Sequence, residues 1–185
     1  MWSVGNCSHF TTKSPSMNII DLRSYLPTHA KRRFPKRNIG QVDTIVIHHT
    51  ASASNQTVKS IAQYHSGPTS HVCKGGCPGI CYHYVINRLG KIYLCNDLES
   101  LVYHAAPMNT KSIGICLIGN FDKIEPNQVQ LDALDYLIPY LRNNLLKKEL
   151  QVIGHRDACN GCKSCPGQNM YAVVEKYQTS AGKLS

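Results

Sequence analysis

The sequence has no run approaching the roughly 18 consecutive apolar residues that a membrane-spanning helix requires. Its polar opening, Met1 to Ser16, has no apolar core of a secretory signal. No membrane span is expected, and the expected place of synthesis is the cytoplasm. Internal repeats and low-complexity tracts are also absent, which leaves out solenoids and extended disorder. Acidic residues are scarce, with 11 Asp plus Glu against 20 Lys plus Arg and a net charge of +9. The excess gathers in residues 1–40, where Lys13, Arg23, Lys31, Arg32, Arg33, Lys36 and Arg37 stand against Asp21 alone. A basic surface admits nucleic acid, anionic lipid and anionic wall polymers alike, and charge does not choose among them. What is present is core material: 185 residues with 42% apolar and 17% charged side chains suit one compact domain and are too few for two of full size.

Nine cysteines is an odd number. In a chain with no leader, thiols default to the reduced state and serve as core residues or metal ligands.

Residues 1–40 show little periodicity and read as a basic irregular arm, with at most one strand or turn at the apolar patch Met17 to Leu22. From Gln41 the pattern changes. Val42 to Ile47 is a β-branched run of strand length that ends at His48-His49. Val58 to Tyr64 predicts a short helix capped near Ser54 or Asn55, followed by a Gly, Pro and Cys-rich loop from Ser66 to Gly79. Tyr82 to Asn87 and Lys91 to Leu94, joined by Arg88-Leu89-Gly90, predict a hairpin, and Ile113 to Ile118 a buried strand. Pro126 opens a long amphipathic helix carrying Leu134, Leu137, Ile138, Leu141 and Leu145, with a kink expected at Pro139. Leu150 to Ile153 predicts a last strand ending at His155, and Met170 to Tyr177 a last helix. The fold class is α/β: a single domain over 41–178 with a central mixed sheet flanked by helices, then a flexible tail over 179–185.

Two strands end in histidine, which is where open α/β sheets carry their sites. A catalytic zinc takes three ligands from His, Cys or carboxylate and leaves a fourth position open. His48 or His49, His155, and Cys165 in its Gly and Pro-rich loop are the candidates. Read from the residues alone, adjacent histidines are as commonly one core and one surface residue, and a loop cysteine a small buried apolar group.

Five ordered segments carry a resemblance: IVIHHTAS (Ile45 to Ser52), CYHYVINRLGKIY (Cys81 to Tyr93), HAAPMNTKSIGICLIGNF (His104 to Phe121), VIGHRD (Val152 to Asp157) and KSCPG (Lys163 to Gly167). Together they resemble the zinc-dependent N-acetylmuramoyl-L-alanine amidases of the type 2 family, which include amidase-type phage lysozymes and peptidoglycan recognition proteins. The resemblance implies a single catalytic Zn2+ held by His48, His155 and Cys165, with His49 structural. It implies catalytic roles for Tyr82 and Lys163 and a place near the substrate cleft for His104. Asn109 and Asn120 read as loop residues that hold backbone. Another branch of the family has a glutamate where this chain has Cys116, so the tyrosine and lysine arrangement is favoured here.

The implied reaction is hydrolysis of the amide between N-acetylmuramic acid and L-alanine in peptidoglycan. The implied setting is a phage endolysin or a related wall-lytic enzyme, made in the cytoplasm and reaching the wall through a membrane lesion. A cytosolic wall-recycling amidase and a non-catalytic peptidoglycan-binding recognition protein are the alternatives. Anionic wall polymers are further expected partners of the basic arm, and nucleic acid is not. The remaining cysteines are denser than the family pattern requires. C-x3-C plus C-x2-C spacing allows a second, structural zinc on Cys73, Cys77, Cys159 and Cys162, against reduced loop thiols or disulfides.

Overall fold

The computed structural model describes residues 17–145, 149–161 and 164–181. Six strands form one mixed sheet: β1 (Ile19–Asp21), β2 (Thr44–His49), β3 (Tyr84–Ile86), β4 (Ile92–Leu94), β5 (Ser112–Leu117) and β6 (Gln151–Gly154). Their order across the sheet is β1-β4-β3-β5-β2-β6, and every neighbouring pair is parallel except the β3/β4 hairpin. The helices are α1 (Val58–Ser66), α2 (Gln128–Asn144), the single turn α3 (His155–Ala158) and α4 (Gln168–Ala181).

Strand alternation divides the apolar residues between two layers. Ile45 and Ile47 of β2, Ile113, Ile115 and Leu117 of β5, and Tyr84 and Ile86 of β3 pack against Leu134, Leu137, Ile138 and Leu141 of α2 and Met170 and Val174 of α4. On the other face Val85, Cys116 and Ile118 meet Val58, Ile61 and Ala62 of α1. Helix α1 starts at the capping box Thr57/Ser60, not at Ser54 or Asn55, because the Thr57 hydroxyl and the Ser60 backbone N–H satisfy each other across the first turn. Asn127 caps α2, so Pro126 lies just outside the helix, and the helix runs on through Pro139.

The one strand or turn expected at the apolar patch Met17 to Leu22 of the basic arm is a strand. β1 joins the sheet beside β4, and Leu22 and Leu26 pack on the α1 layer. The chain then turns under the sheet end: Arg37 is 8% exposed and donates to the carbonyls of Leu98 (2.9 Å), Asn109 (2.7 Å) and Ser112, beside the His83 ring. Parallel pairing of β1 with β4 joins residues some 70 positions apart, which local periodicity does not register. The C-terminal tail expected from 179 is helical to Ala181.

Candidate metal centre

Strand register decides which residues meet. β2 lies between β5 and β6, with Ile47 opposite Gly154 and His48 opposite Cys116. His48 and His155 therefore emerge side by side at the carboxyl ends of adjacent parallel strands, with ring centroids 4.5 Å apart. The alternation that turns His48 toward the α1 face sends His49 to the other, where its Nδ1 accepts from the Phe121 N–H (3.2 Å) and its Nε2 lies 3.9 Å from the Asp122 carboxylate.

Cys165 comes from the loop between α3 and α4. The Arg156 N–H holds its carbonyl (2.8 Å), and the His49 N–H reaches its Sγ at 3.5 Å. One ligand atom each from His48, His155 and Cys165 lie within 4.8 Å of one another, and His48 Nδ1 is 3.8 Å from Cys165 Sγ. Tetrahedral zinc, with bonds near 2.0 Å to nitrogen and 2.3 Å to sulfur, sets those two atoms about 3.6 Å apart. The two-histidine, one-cysteine set fits zinc, and all three residues line a cleft.

Behind the candidate ligands, hydrogen bonds fix a tautomer. Ser112 Oγ donates to the Met108 carbonyl (2.7 Å), so it accepts from His104 Nε2 (3.3 Å). His104 Nδ1 is then the acceptor for His48 Nε2–H at 3.0 Å, which leaves the His48 Nδ1 lone pair aimed at Cys165 and the metal position. Burial holds His48 well below its ordinary pKa and His104 down at about 3, so both rings are neutral at pH 7. Gly114 of β5 makes this possible, because a Cβ there would stand 2.7 Å from the His104 ring. Asn109 Oδ1 accepts from the N–H groups of His104 (3.0 Å) and Ala105 (2.7 Å), which fixes the loop that carries the ring.

These residues floor a cleft of about 530 Å³ walled by His65, His71, Tyr82, Tyr103 and Asn109. Tyr82 sits with its ring 5.2 Å from that of His48. Desolvation raises the Tyr82 pKa well above its ordinary value, so its proton stays in place at neutral pH. His104 lines the cleft, but both its ring nitrogens are engaged within the protein. Lys163 and Cys162 lie outside the described residues.

The expected four-cysteine zinc site is corrected. Cys73 and Cys77 form a disulfide, Cys159 is itself disulfide-bonded, and the sulfur that joins Cys73 and Cys77 is that of Cys81. The C-x2-C and C-x3-C spacings are each local, and among the described residues Cys159 does not join Cys73 and Cys77. Residues without a sequence signal were His83, Arg37 and His65. His65 is recognisable only by its contacts: its Nδ1 accepts from the Cys81 N–H (3.0 Å) while its ring sits 5.4 Å from that of Tyr82.

Comparison with known proteins agrees with this architecture. The chain is 33% identical over 99 residues to peptidoglycan-recognition protein SD of Drosophila simulans, covering 53% of this chain and 52% of that protein. It thus spans about half the length of such relatives. It is 28% identical over 153 residues to the endolysin of Enterobacteria phage K11, covering 79% of this chain and 93% of that one. Among solved structures, Drosophila peptidoglycan recognition protein SD superposes with a TM-score of 0.74 at 23% identity, covering 87% of this chain and 95% of that one. The amidase LysC of Clostridium intestinale superposes with a TM-score of 0.67 at 24% identity, covering 86% and 95%. The family model described as N-acetylmuramoyl-L-alanine amidase matches residues 38–168, more than two thirds of the sequence, and the chain belongs to that family.

Proposed function

We propose that the chain is a zinc amidase that cleaves the bond between N-acetylmuramic acid and L-alanine in peptidoglycan, with His48, His155 and Cys165 as the metal ligands. The observation that carries this reading is the set of three ligand atoms within 4.8 Å of one another at the floor of a cleft, one of them tautomer-fixed by a buried partner. Zinc held there supplies Lewis acidity toward the scissile carbonyl and a nucleophile at neutral pH.

The protein's own groups do the rest. His48, held neutral with Nε2–H on His104, offers Nδ1 without reorganisation. The protonated Tyr82 hydroxyl is a donor to the oxygen that gains charge as the amide carbon is attacked, a role worth about 10²–10³ in rate. Lys163, by resemblance, adds a cation to the same oxygen. The cleft admits substrate from solvent, and the His65 and Tyr103 rings form its walls.

The setting we favour is a phage endolysin or related lytic enzyme, made in the cytoplasm and acting on the wall after a membrane lesion. The similarity to a phage endolysin over most of both chains supports it. Peptidoglycan is the partner, and anionic wall polymers are a weaker candidate than the charge count implies. Arg23, Arg32, Arg33, Lys36 and Arg37 all bond within the domain.

The experiment is mass spectrometry of purified peptidoglycan after incubation with the protein, with and without a zinc chelator. Chelator-sensitive release of stem peptides beginning at L-alanine is expected. Intact muropeptides retained on the protein would instead establish the second reading, a recognition protein without catalysis, which the similarity to Drosophila recognition protein SD supports.

A further inference from the structure

A second sulfur cluster stands apart from the ligands His48, His155 and Cys165. The sulfurs of Cys73, Cys77 and Cys81 lie within 4.8 Å of one another, on a loop that runs from the end of α1 toward β3. Two of them form a disulfide, and the third, Cys81, is left as a thiol that is 1% exposed. Its Sγ has a weak contact of 3.7 Å with the Gly79 carbonyl. A disulfide needs two sulfurs and gives no reason for a third to converge on them. A thiophilic ion does: with metal–sulfur bonds near 2.3 Å, tetrahedral geometry sets sulfurs about 3.8 Å apart, well within the observed span.

The loop around the cluster is fixed from several sides. Gly75 and Gly76 take φ of 77° and 95°, a left-handed pair that closes the Cys73–Cys77 turn, with the Gly76 N–H on the Cys73 carbonyl (2.9 Å). The Cys77 N–H anchors to the His65 carbonyl at the end of α1 (2.7 Å). From the N-terminal segment, Arg32 donates to the carbonyls of Lys74 (3.0 Å) and Gly76, and the His29 N–H donates to that of Pro78 (2.8 Å). Arg32 places a cation against the turn, where it offsets the single negative charge left by three thiolates on a divalent ion. Cys77 is fully buried and Cys81 nearly so, while Cys73 is half-buried and gives the ion its way in.

We propose that in the reduced protein Cys73, Cys77 and Cys81 bind a thiophilic metal ion, Zn2+ or a similar d10 cation, and that the Cys73–Cys77 disulfide is the oxidised, metal-free form of the same site. Interconversion balances with a dithiol. The dithiol gives two electrons and two protons to the Cys73–Cys77 bond and becomes a cyclic disulfide. The three thiols then release their protons as the sulfurs bind the ion. Coordination to the ion is what deprotonates the buried Cys81 thiol. His65 is not a ligand, because its Nδ1 accepts from the Cys81 N–H and its Nε2 therefore keeps its hydrogen.

The test uses the full chain, reduced with a dithiol, loaded with zinc, freed of excess metal and weighed by native mass spectrometry. Two zinc ions per chain are expected in the reduced protein and one after oxidation, with thiol titration reporting the loss of four thiols, two from Cys73 and Cys77 and two from the disulfide of Cys159. Cys81→Ser is expected to hold one ion whether reduced or oxidised. Cys165→Ser is expected to hold one ion that oxidation expels, so failure at either centre is read separately. Should Cys81→Ser fail to fold, alkylation of the reduced wild-type chain answers the same question: zinc is expected to slow modification of Cys73 at least ten-fold. Equal zinc content in reduced wild type and a folded Cys81→Ser, or Cys73 alkylation indifferent to zinc, would overturn the proposal.

Discussion

The two faces of the sheet bury different chemistry. Against α2 and α4 the strands present Ile45, Ile47, Ile113, Ile115 and Leu117, packed with Leu134, Leu137 and Leu141. At the strand ends on the α1 side the buried residues are His48, His83, His104, Ser112 and Arg37. The first face gains free energy as apolar area leaves water. The second gives some back, since four carbonyl acceptors, those of Leu98, Asn109, Thr110 and Ser112, are needed to keep Arg37 charged with its pKa brought down to about 10, and the histidines must stay neutral. What that cost provides is orientation: each ring on the polar side is held by the next. The aliphatic face sets the strand register, and the polar face turns register into a fixed tautomer at the metal position.

The largest expected effect separates the two faces most sharply. Cys165→Ser removes a proposed zinc ligand from the polar side and nothing from the aliphatic core. Hydrolysis is expected to fall roughly a thousand-fold or more, the several kcal/mol that metal polarisation supplies, with the apo protein's thermal midpoint little changed. Peptide release from peptidoglycan and a thermal melt, both in the presence of chelator-treated controls, measure the two quantities. A collapse of stability equal to the loss of activity would erase the distinction between the faces.

Ile115→Ala is the converse. It empties a fully buried site between β5 and α2, and unfolding free energy is expected to drop by about 2–5 kcal/mol in urea titrations. Zinc bound per folded molecule should stay unchanged. Loss of zinc at full stability would mean that the metal position depends on core packing more directly than the two-face picture allows.

A third effect of similar size follows from protonation on the polar side. Burial lowers His65 to about 4 from an ordinary value near 6.5. The unfolded chain therefore takes up this proton first as pH falls, so stability is lost between pH 6.5 and 4 and levels off below. The contribution of this one ring is on the order of 3 kcal/mol. Comparing wild type with His65→Gln in denaturant titrations at pH 7 and pH 4 isolates it, since the other buried histidines are common to both. A pH slope identical in the two proteins would remove His65 from the list of groups that oppose acid.

Much of this division was legible in the sequence. The β-branched run before His48-His49, the Leu periodicity of α2 and the strand ending at His155 are local patterns, and period two alone separates His48 from His49. The aliphatic face follows from those patterns almost completely. The polar face does not, because its members are selected by contacts made across the fold. Arg37 reads as one more cation in a basic run until the carbonyls of Leu98, Asn109 and Ser112 converge on it. His83 looks like a neighbour of Tyr82, and only strand pairing sets its Nδ1 to accept from the Gly114 N–H (3.0 Å). The cysteines mislead in the opposite way. Two local spacings suggest one site, while the third sulfur near Cys73 and Cys77 comes from Cys81, four residues beyond a turn that no spacing rule includes.

The finest test acts on the polar face without touching His48, His155 or Cys165. His104→Gln removes the acceptor for His48 Nε2–H while leaving a polar side chain, and Gly114→Ala drives a methyl group into the His104 ring from 2.7 Å. Either change frees the His48 ring to rotate or to take the other tautomer, in which Nδ1 carries the hydrogen and is lost as a ligand. Partners of this kind are worth about 10–100-fold in metal affinity. Competition with a chromogenic chelator is expected to show that weakening in both variants, and saturating zinc is expected to restore most of the activity, because the ligands themselves are intact. Ile115→Ala should show neither the weakening nor the rescue. If His104→Gln binds zinc as tightly as wild type, the buried histidine chain holds the loop and not the tautomer. The two faces would then differ in composition but not in what they do.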